Sequence, residues 1–437
     1  MTTTHADRRE FIRISAAATA GLTMTSILNG QMMGANDRLR IGVIGCGIRG
    51  NYLISEIFRL TDLNVEVVAI CDVWKVNLAK TAAAVTAKQG KAPLTFARYA
   101  DLLAVKDLDA VMIATPDFGH TPIMIDAIKL KKDVFVEKPM ATDLEQAKTA
   151  MALARENKTI VQVGSQRRSD RRHQAGAKLI QSGILGKISE VETAWHDSVP
   201  RWARAYDDVK QEDVDWQQYL MGRPNEPFSA VRFRRWHFYK DFTLGTPSLL
   251  GSHLIDVALW FMDDPLPSSA VAHGGVYVWK DGREHADTLD CILECPKGFI
   301  VNYSSRLSNK HAVPEAIFYG TKGTFDTESW TARGEGGGAD ALKEPVMVPK
   351  PAARTLSVPS EAPAATNGQK VEVQNDPRVG GEGHVRNWVE CIRSRATPNA
   401  PVEVGFSHSL AGILCFKALE SGRRQIYDPK KMQIHAG

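Results

Sequence analysis

The chain has 437 residues and a mass of 48.1 kDa, with 43% apolar and 24% charged residues; this is globular composition with core material for two domains, and it excludes whole-chain disorder, collagen and coiled coil. A formal charge of +4, from 54 basic and 50 acidic residues, comes without a long basic stripe and interleaved aromatics, so no nucleic acid is expected as a partner. No run of eighteen apolar residues occurs, so no membrane span is expected. The six cysteines, at 46, 71, 291, 295, 391 and 415, form no C-x-x-C pair and are expected to be buried, reduced thiols.

Residues 1–35 differ from the rest. Arg8-Arg9-Glu10-Phe11-Ile12-Arg13 precedes a mild small-residue stretch, Ile14 to Ile27. A charged region before a weakly apolar one is the layout of an export signal, and the adjacent arginines followed by Phe and Ile resemble a twin-arginine signal. The expectation is periplasmic or other export in folded form. The alternative is an amphipathic N-terminal helix on a cytoplasmic protein.

Arg38 to Ile44 reads as a short strand that runs into Gly45-Cys46-Gly47-Ile48-Arg49-Gly50, and Asn51 to Leu60 can continue as a helix. Gly45 permits the tight turn, Gly47 lets backbone approach a pyrophosphate, and Gly50 allows close helix–strand packing. The N-terminal amides of that helix then face the phosphates, and Ile48 and Arg49 of the loop are expected to bind the cofactor. A second strand, Val65–Cys71, ends at Asp72, whose carboxylate suits ribose hydroxyls and repels a 2′-phosphate; NAD is therefore expected over NADP. Strand-like Asp107–Ala114 ends at Thr115-Pro116, with His120 opening the next helix. Strand Asp133–Val136 ends at Glu137-Lys138-Pro139. A helix over 142–157 is expected to be capped by Thr142 with Glu145 three residues on, and Thr159–Gly164 is a further strand. This alternation predicts a parallel sheet, a Rossmann domain over residues 38–164, whose strand ends bring Gly45–Gly50, Thr115–Pro116 and Glu137–Pro139 to one crevice.

With these motifs, and with Gly251-Ser252-His253-Leu254-Ile255-Asp256 later on, the chain resembles the Gfo/Idh/MocA family of oxidoreductases over roughly residues 38–430. The resemblance implies a second α+β domain with a large open, mostly antiparallel sheet, placed at residues 165–437 and used in the family for homodimer or homotetramer contacts. It implies that Lys138 lies beside the nicotinamide and the substrate hydroxyl, that the following proline is cis, and that His253 is the acid/base. Members commonly carry an aspartate four residues before that histidine. Leu249 stands there, so Asp256 or another acid takes over, or the chemistry has changed.

Gln166-Arg167-Arg168 leaves the last parallel strand rich in donors suited to a polyhydroxylated or acidic substrate. Residues 195–245 are dense in aromatic rings, among them Trp236 and Tyr239, which suit the C–H faces of a sugar. His253 and Asp256 can share a helix face. The spacings of His237, Asp241, His253 and Asp256 match no strong metal pattern, so no metal is expected. Val271–Trp279, Thr288–Cys295, Gly298–Ser305 and Ala316–Tyr319 read as strands, and residues 333–374, rich in Gly, Pro, Ala and Ser, as an exposed arm. The expected function is NAD-dependent hydride transfer at a secondary alcohol of a carbohydrate or polyol with a tightly bound cofactor. The alternatives are redox-neutral, NAD-dependent glycoside cleavage through a keto intermediate, and a non-enzymatic sugar- or nucleotide-binding protein.

Overall fold

The first half is organised by short, almost wholly apolar strands. Leu39–Ile44 (β1), Val65–Cys71 (β2), Leu94–Phe96 (β3), Ala110–Ile113 (β4), Asp133–Val136 (β5) and Val161–Val163 (β6) form one parallel sheet in the order β3-β2-β1-β4-β5-β6. β4 and β5 are buried at every position, as strands covered by helices on both faces must be. The strand order reverses between β1 and β4, which opens a crevice at the carboxyl ends of the strands. The structure is a computed structural model and describes residues 37–337, 340–350 and 382–437. The twin-arginine-like segment and residues 338–339 and 351–374 of the expected arm lie outside the described residues. Helix Leu144–Glu156 is capped one residue later than expected: Asp143, not Thr142, accepts from the Gln146 amide at 2.9 Å.

The second half is built on a ten-stranded sheet. At its centre lie Ile188–His196 (β7), Ser269–Gly275 (β8), Thr288–Cys295 (β9), Phe299–Arg306 (β10) and Ala316–Gly320 (β11). β10 is parallel to β7; the pairs β9–β10, β8–β9 and β7–β11 are antiparallel. Along β9, Leu289, Cys291, Leu293 and Cys295 are buried, whereas Ile292 is 39% exposed. One face of the sheet is therefore covered and the other open.

Helix Val402–Ser421 covers that inner face, packing on β8, on helix Leu144–Glu156 of the first half and on helix Ser252–Phe261. It has the length and hydropathy of a membrane span, but most of it is buried inside the protein. Helix Glu382–Ser394 returns to the first sheet although it is distant in sequence. Trp388, Val389 and Ile392 join Ile41, Val67 and Phe135 in one core.

Two cysteines depart from the expected reduced state. Cys291 of β9 and Cys415 of helix Val402–Ser421 form a disulfide with Cα atoms 6.0 Å apart, across 124 residues of chain; Cys46, Cys71, Cys295 and Cys391 are free and buried. Sequence separation hid this bond, because strand and helix meet only through the fold. Replacing both residues with alanine is expected to cost about 2–5 kcal/mol, read as a lower urea midpoint. An unchanged midpoint would mean that the link is not formed in solution.

Candidate active site

The glycine loop is set by backbone demands. Gly45 has φ +96°, and a Cβ there would lie 2.6 Å from the Ala114 carbonyl oxygen. A Cβ on Gly50 would lie 1.8 Å from the Gly45 carbonyl oxygen; neither position accepts a side chain. In front of Gly47 there is open space, at the start of helix Ile48–Phe58. Asp72, at the tip of β2, accepts from the Cys46 amide at 2.7 Å and the Trp74 amide at 2.8 Å. Burial pushes its carboxyl up to about 6, against these hydrogen bonds.

Residues 197–246, the long excursion between β7 and the turn at Pro247–Gly251, close over this crevice. The Asp215 amide donates to the Val73 carbonyl and Lys75 Nζ to the Glu212 carbonyl, both at 2.8 Å. Phe233 meets Trp74 edge-on at 5.9 Å, and Phe118 packs on Tyr219 and Phe242. One cleft of about 280 Å³ results. Gly45, Gly47, Ile48, Arg49, Asp72, Thr115 and Pro116 line it from the sheet, and Arg204, Tyr219, Trp236 and His237 from the excursion. Arg49 Nη2, Trp74 Nε1, Tyr219 OH and His237 Nδ1 belong to residues lining the cleft, and each is buried without a hydrogen-bond partner. Unpaired polar atoms of this kind call for a ligand rich in polar atoms, and a dinucleotide fits.

Adjoining the cleft through Arg49, the Glu137-Lys138-Pro139 turn leaves β5 with a cis Lys138–Pro139 bond. Glu137 is buried and accepts from Arg49 Nε at 2.6 Å and from Gln166 Nε2 at 3.5 Å. His120 stands behind the cleft. Its Nδ1 lies 2.7 Å from the Pro139 carbonyl and its Nε2 2.8 Å from the Thr115 carbonyl, tying the two loops together. Lys138 Nζ donates to the Leu249 carbonyl at 2.7 Å. Burial lowers its pKa; the carboxylates of Asp117 and Glu137 oppose the shift, and Arg49 and Arg167 add to it. His253 is partly exposed and has no hydrogen-bond partner among the described residues. Burial first, then the charges of Lys138, Arg167 and Arg49, push its imidazole well below the ordinary range, so the ring is neutral at pH 7.

The family comparison bears on this geometry. Residues 39–165 match the model described as "Oxidoreductase family, NAD-binding Rossmann fold", and residues 173–326 match the GFO/IDH/MocA C-terminal domain. The chain belongs to the Gfo/Idh/MocA oxidoreductase family. It is similar to a glycosyl hydrolase family 109 protein of Shewanella baltica, 26% identical over 240 residues, 50% of this chain and 51% of that protein. It is also similar to inositol 2-dehydrogenase 3 of Saccharopolyspora erythraea, 32% identical over 45% of this chain and 58% of that one. The chain thus spans about half the length of the curated relatives it matches. Among solved structures, the WlbA dehydrogenase of Bordetella pertussis in complex with NADH and UDP-GlcNAcA shares the fold, with a TM-score of 0.63 at 20% identity over 90% of this chain and 99% of that one. So does levoglucosan dehydrogenase in complex with NADH and levoglucosan, at 0.62 and 17% over 89% and 98%.

The departure of this Gfo/Idh/MocA chain at Leu249 has a structural counterpart. Pro247–Gly251 is a π-helical turn. Its leucine side chain packs with Leu250 and Leu307, while its main-chain carbonyl takes the lysine ammonium. The turn is anchored by Asp117, a buried carboxylate that accepts from Thr243 Oγ1 at 2.7 Å and Ser248 Oγ at 3.5 Å. Asp117 escaped sequence reading because an acid just after Thr115-Pro116 also reads as the first turn of a helix. Asp256 is otherwise engaged. Arg168 Nε and Nη2 grip its carboxylate at 2.9–3.0 Å, and the same guanidinium lies 4.9 Å from the Trp260 ring centre. Arg167 pairs with Glu315 at 2.8 and 3.1 Å. Of the two expected substrate rings, Trp236 lines the cleft, whereas Tyr239 packs beneath the Arg232 guanidinium at 4.5 Å.

A wall of tryptophan adjoins the Leu249 turn. Trp195, Trp202, Trp236 and Trp279 surround Leu249, Leu250 and Leu307, and Trp195 lies 6.3 Å from the His253 ring. His237 is sandwiched between Trp202 at 5.1 Å and Trp236 at 3.6 Å. Trp279 was not legible in sequence, since it follows β8 and reaches the wall only through its Nε1 bond to the Leu307 carbonyl at 2.8 Å. Among the described residues no group of three or more His, Cys, Asp or Glu is placed to hold a metal ion.

Proposed function

We propose that this protein transfers hydride between NAD and a secondary alcohol of a sugar or polyol, with the cofactor held through the catalytic cycle. One observation carries the reading: Lys138, fixed on the Leu249 carbonyl, acts on a neutral His253 that has no hydrogen-bond partner among the described residues and lies beside Trp195. Bound NAD would accept the hydride from the carbinol carbon and return it in the reverse direction. His253 takes the hydroxyl proton as the carbonyl forms. Lys138 donates to the same oxygen and stabilises the charge that develops on it. The tryptophan faces hold the C–H faces of the ring, since large rings with polar tips combine apolar area with hydrogen bonding. A folded, exported enzyme carrying its cofactor fits the Cys291–Cys415 disulfide, which belongs to an oxidising compartment.

A second reading begins with the same half-reaction. Oxidation next to a C–H acidifies it, elimination across that C–H and the glycosidic bond releases the protonated aglycone, water adds across the double bond so formed, and the ketone is reduced again with no net change in NAD. The similarity to glycosyl hydrolase family 109 proteins favours this course, as does the excursion closing the cleft. The test is to purify the protein without added nucleotide, denature it, and identify the released molecules by mass spectrometry. Polyols and aryl glycosides are then screened for absorbance at the NADH wavelength and for free aglycone. Bound NAD with NADH formation supports net oxidation, and aglycone without net NADH supports cleavage. A protein that neither carries nor binds NAD would overturn both readings.

A further inference from the structure

The excursion over 197–246 brings more to the cleft than a roof. Among the charged residues lining it are Asp72, Arg49, Arg204 and Arg234. Three of these have partners. Asp72 holds two backbone amides, Arg49 holds Glu137, and Arg234 reaches Asp208 at 3.3 Å and the Ala205 carbonyl at 3.2 Å while lying 4.9 Å from the Trp74 ring centre. Arg204 is the exception. It is partly buried, and among the described residues its guanidinium has no hydrogen-bonding or ionic partner. Burial and the Arg234 charge both push its pKa down, so nothing on the protein compensates the cost of its position.

The location of Arg204 narrows what the ligand is. It shares one cleft with Gly45 and Gly47. It acts electrostatically on His237, which also feels Lys138, and it feels Arg234, which stacks on Trp74 beside Asp72. The cleft that Arg204 lines also holds Asp72 and His237. The anionic group of a dinucleotide is its diphosphate, and a guanidinium without a partner in this cleft calls for it. Tyr219 and Trp74, 5% and 3% exposed, line the same cleft, and their OH and Nε1 have no hydrogen-bond partner among the described residues, so the arginine is part of a built polar site.

We propose that Arg204 is the counter-charge for the cofactor's diphosphate, gripping it from the side opposite the glycine loop. The inference rests on the reading that this cleft holds NAD. The glycine loop offers backbone amides and a helix N-terminus, which position a phosphate but leave its charge only partly balanced. A guanidinium brought by the excursion completes the site with a charge-assisted, fork-shaped contact. NAD so held would leave only when the excursion lifts from Val73, Trp74 and Lys75, to which Asp215, Phe233 and Glu212 tie it.

The test is Arg204→Gln in the full chain, freed of nucleotide and titrated by calorimetry with NAD and, separately, with adenosine, which lacks the diphosphate. NAD affinity is expected to fall about 10- to 100-fold, the loss of one charge-assisted contact. The dissociation half-time of bound NAD should shorten in step, and adenosine affinity should stay the same. Arg204→Lys, which keeps the charge and loses the fork, should fall between variant and parent. NAD binding equal to that of the parent would overturn the proposal. So would equal losses for NAD and adenosine, which would make Arg204 a support of the excursion. A parent that binds no NAD would overturn the NAD reading itself, and the proposal with it.

Discussion

Lys138→Met is expected to lower turnover by about 10²- to 10⁴-fold while NAD binding stays nearly intact. The lysine is held by a main-chain carbonyl, so its loss removes charge stabilisation without touching the glycine loop or Asp72. Asp117 keeps its Thr243 and Ser248 donors in the variant, and the fold should tolerate the change. The pH profile separates the roles. His253 must be neutral to accept a proton, and its pKa lies well below the usual 6.5; alcohol oxidation should therefore fall only as pH drops below the ordinary histidine range. Lys138 must be charged, and burial lowers its pKa from 10.5; the alkaline limb should appear earlier than for a free lysine. Steady-state kinetics across pH should show both limbs in the parent and no acid limb in the residual activity of His253→Gln. Unchanged turnover in Lys138→Met would remove this residue from the mechanism.

The parts legible in sequence are those that local backbone demands dictate. Gly45 and Gly50 can be read because no side chain fits at either position, and Asp72 because a carboxylate at a strand tip has a chemical reason to be there. The open sheet was expected from the family resemblance rather than from spacing. What escaped are pairings made only in three dimensions. Arg167 and Arg168 look like substrate donors in the chain, yet Glu315 and Asp256 claim them once strands and helices pack. Leu249 reads as a lost acid, and the structure supplies a carbonyl from a π-helical turn and a buried carboxylate from a different strand end. Cys291 and Cys415, Trp388 against Phe135, and Arg204 over the cleft all join segments whose separation along the chain carries no signal.

Asp256→Ala is expected to destabilise the protein by about 3–5 kcal/mol, because it leaves a guanidinium buried without its carboxylate. The Arg168 and Asp256 side chains are 14% and 2% exposed, so solvent offers little relief. His408, buried nearby, carries no negative charge in either protonation state and cannot replace the carboxylate. The double variant Arg168→Met/Asp256→Leu should recover most of the loss, since apolar residues of similar volume replace a buried pair at little cost; chemical denaturation of both proteins measures this. The double variant also decides what Asp256 does. It sits one helical turn after His253 on Ser252–Phe261, and in the geometry described it steadies that helix through Arg168 without reaching the cleft. On that account the double variant, once folded, keeps turnover and an acid limb at the parent's pH. A stable double variant without turnover would make Asp256 the acid that stands in for the carboxylate missing at position 249.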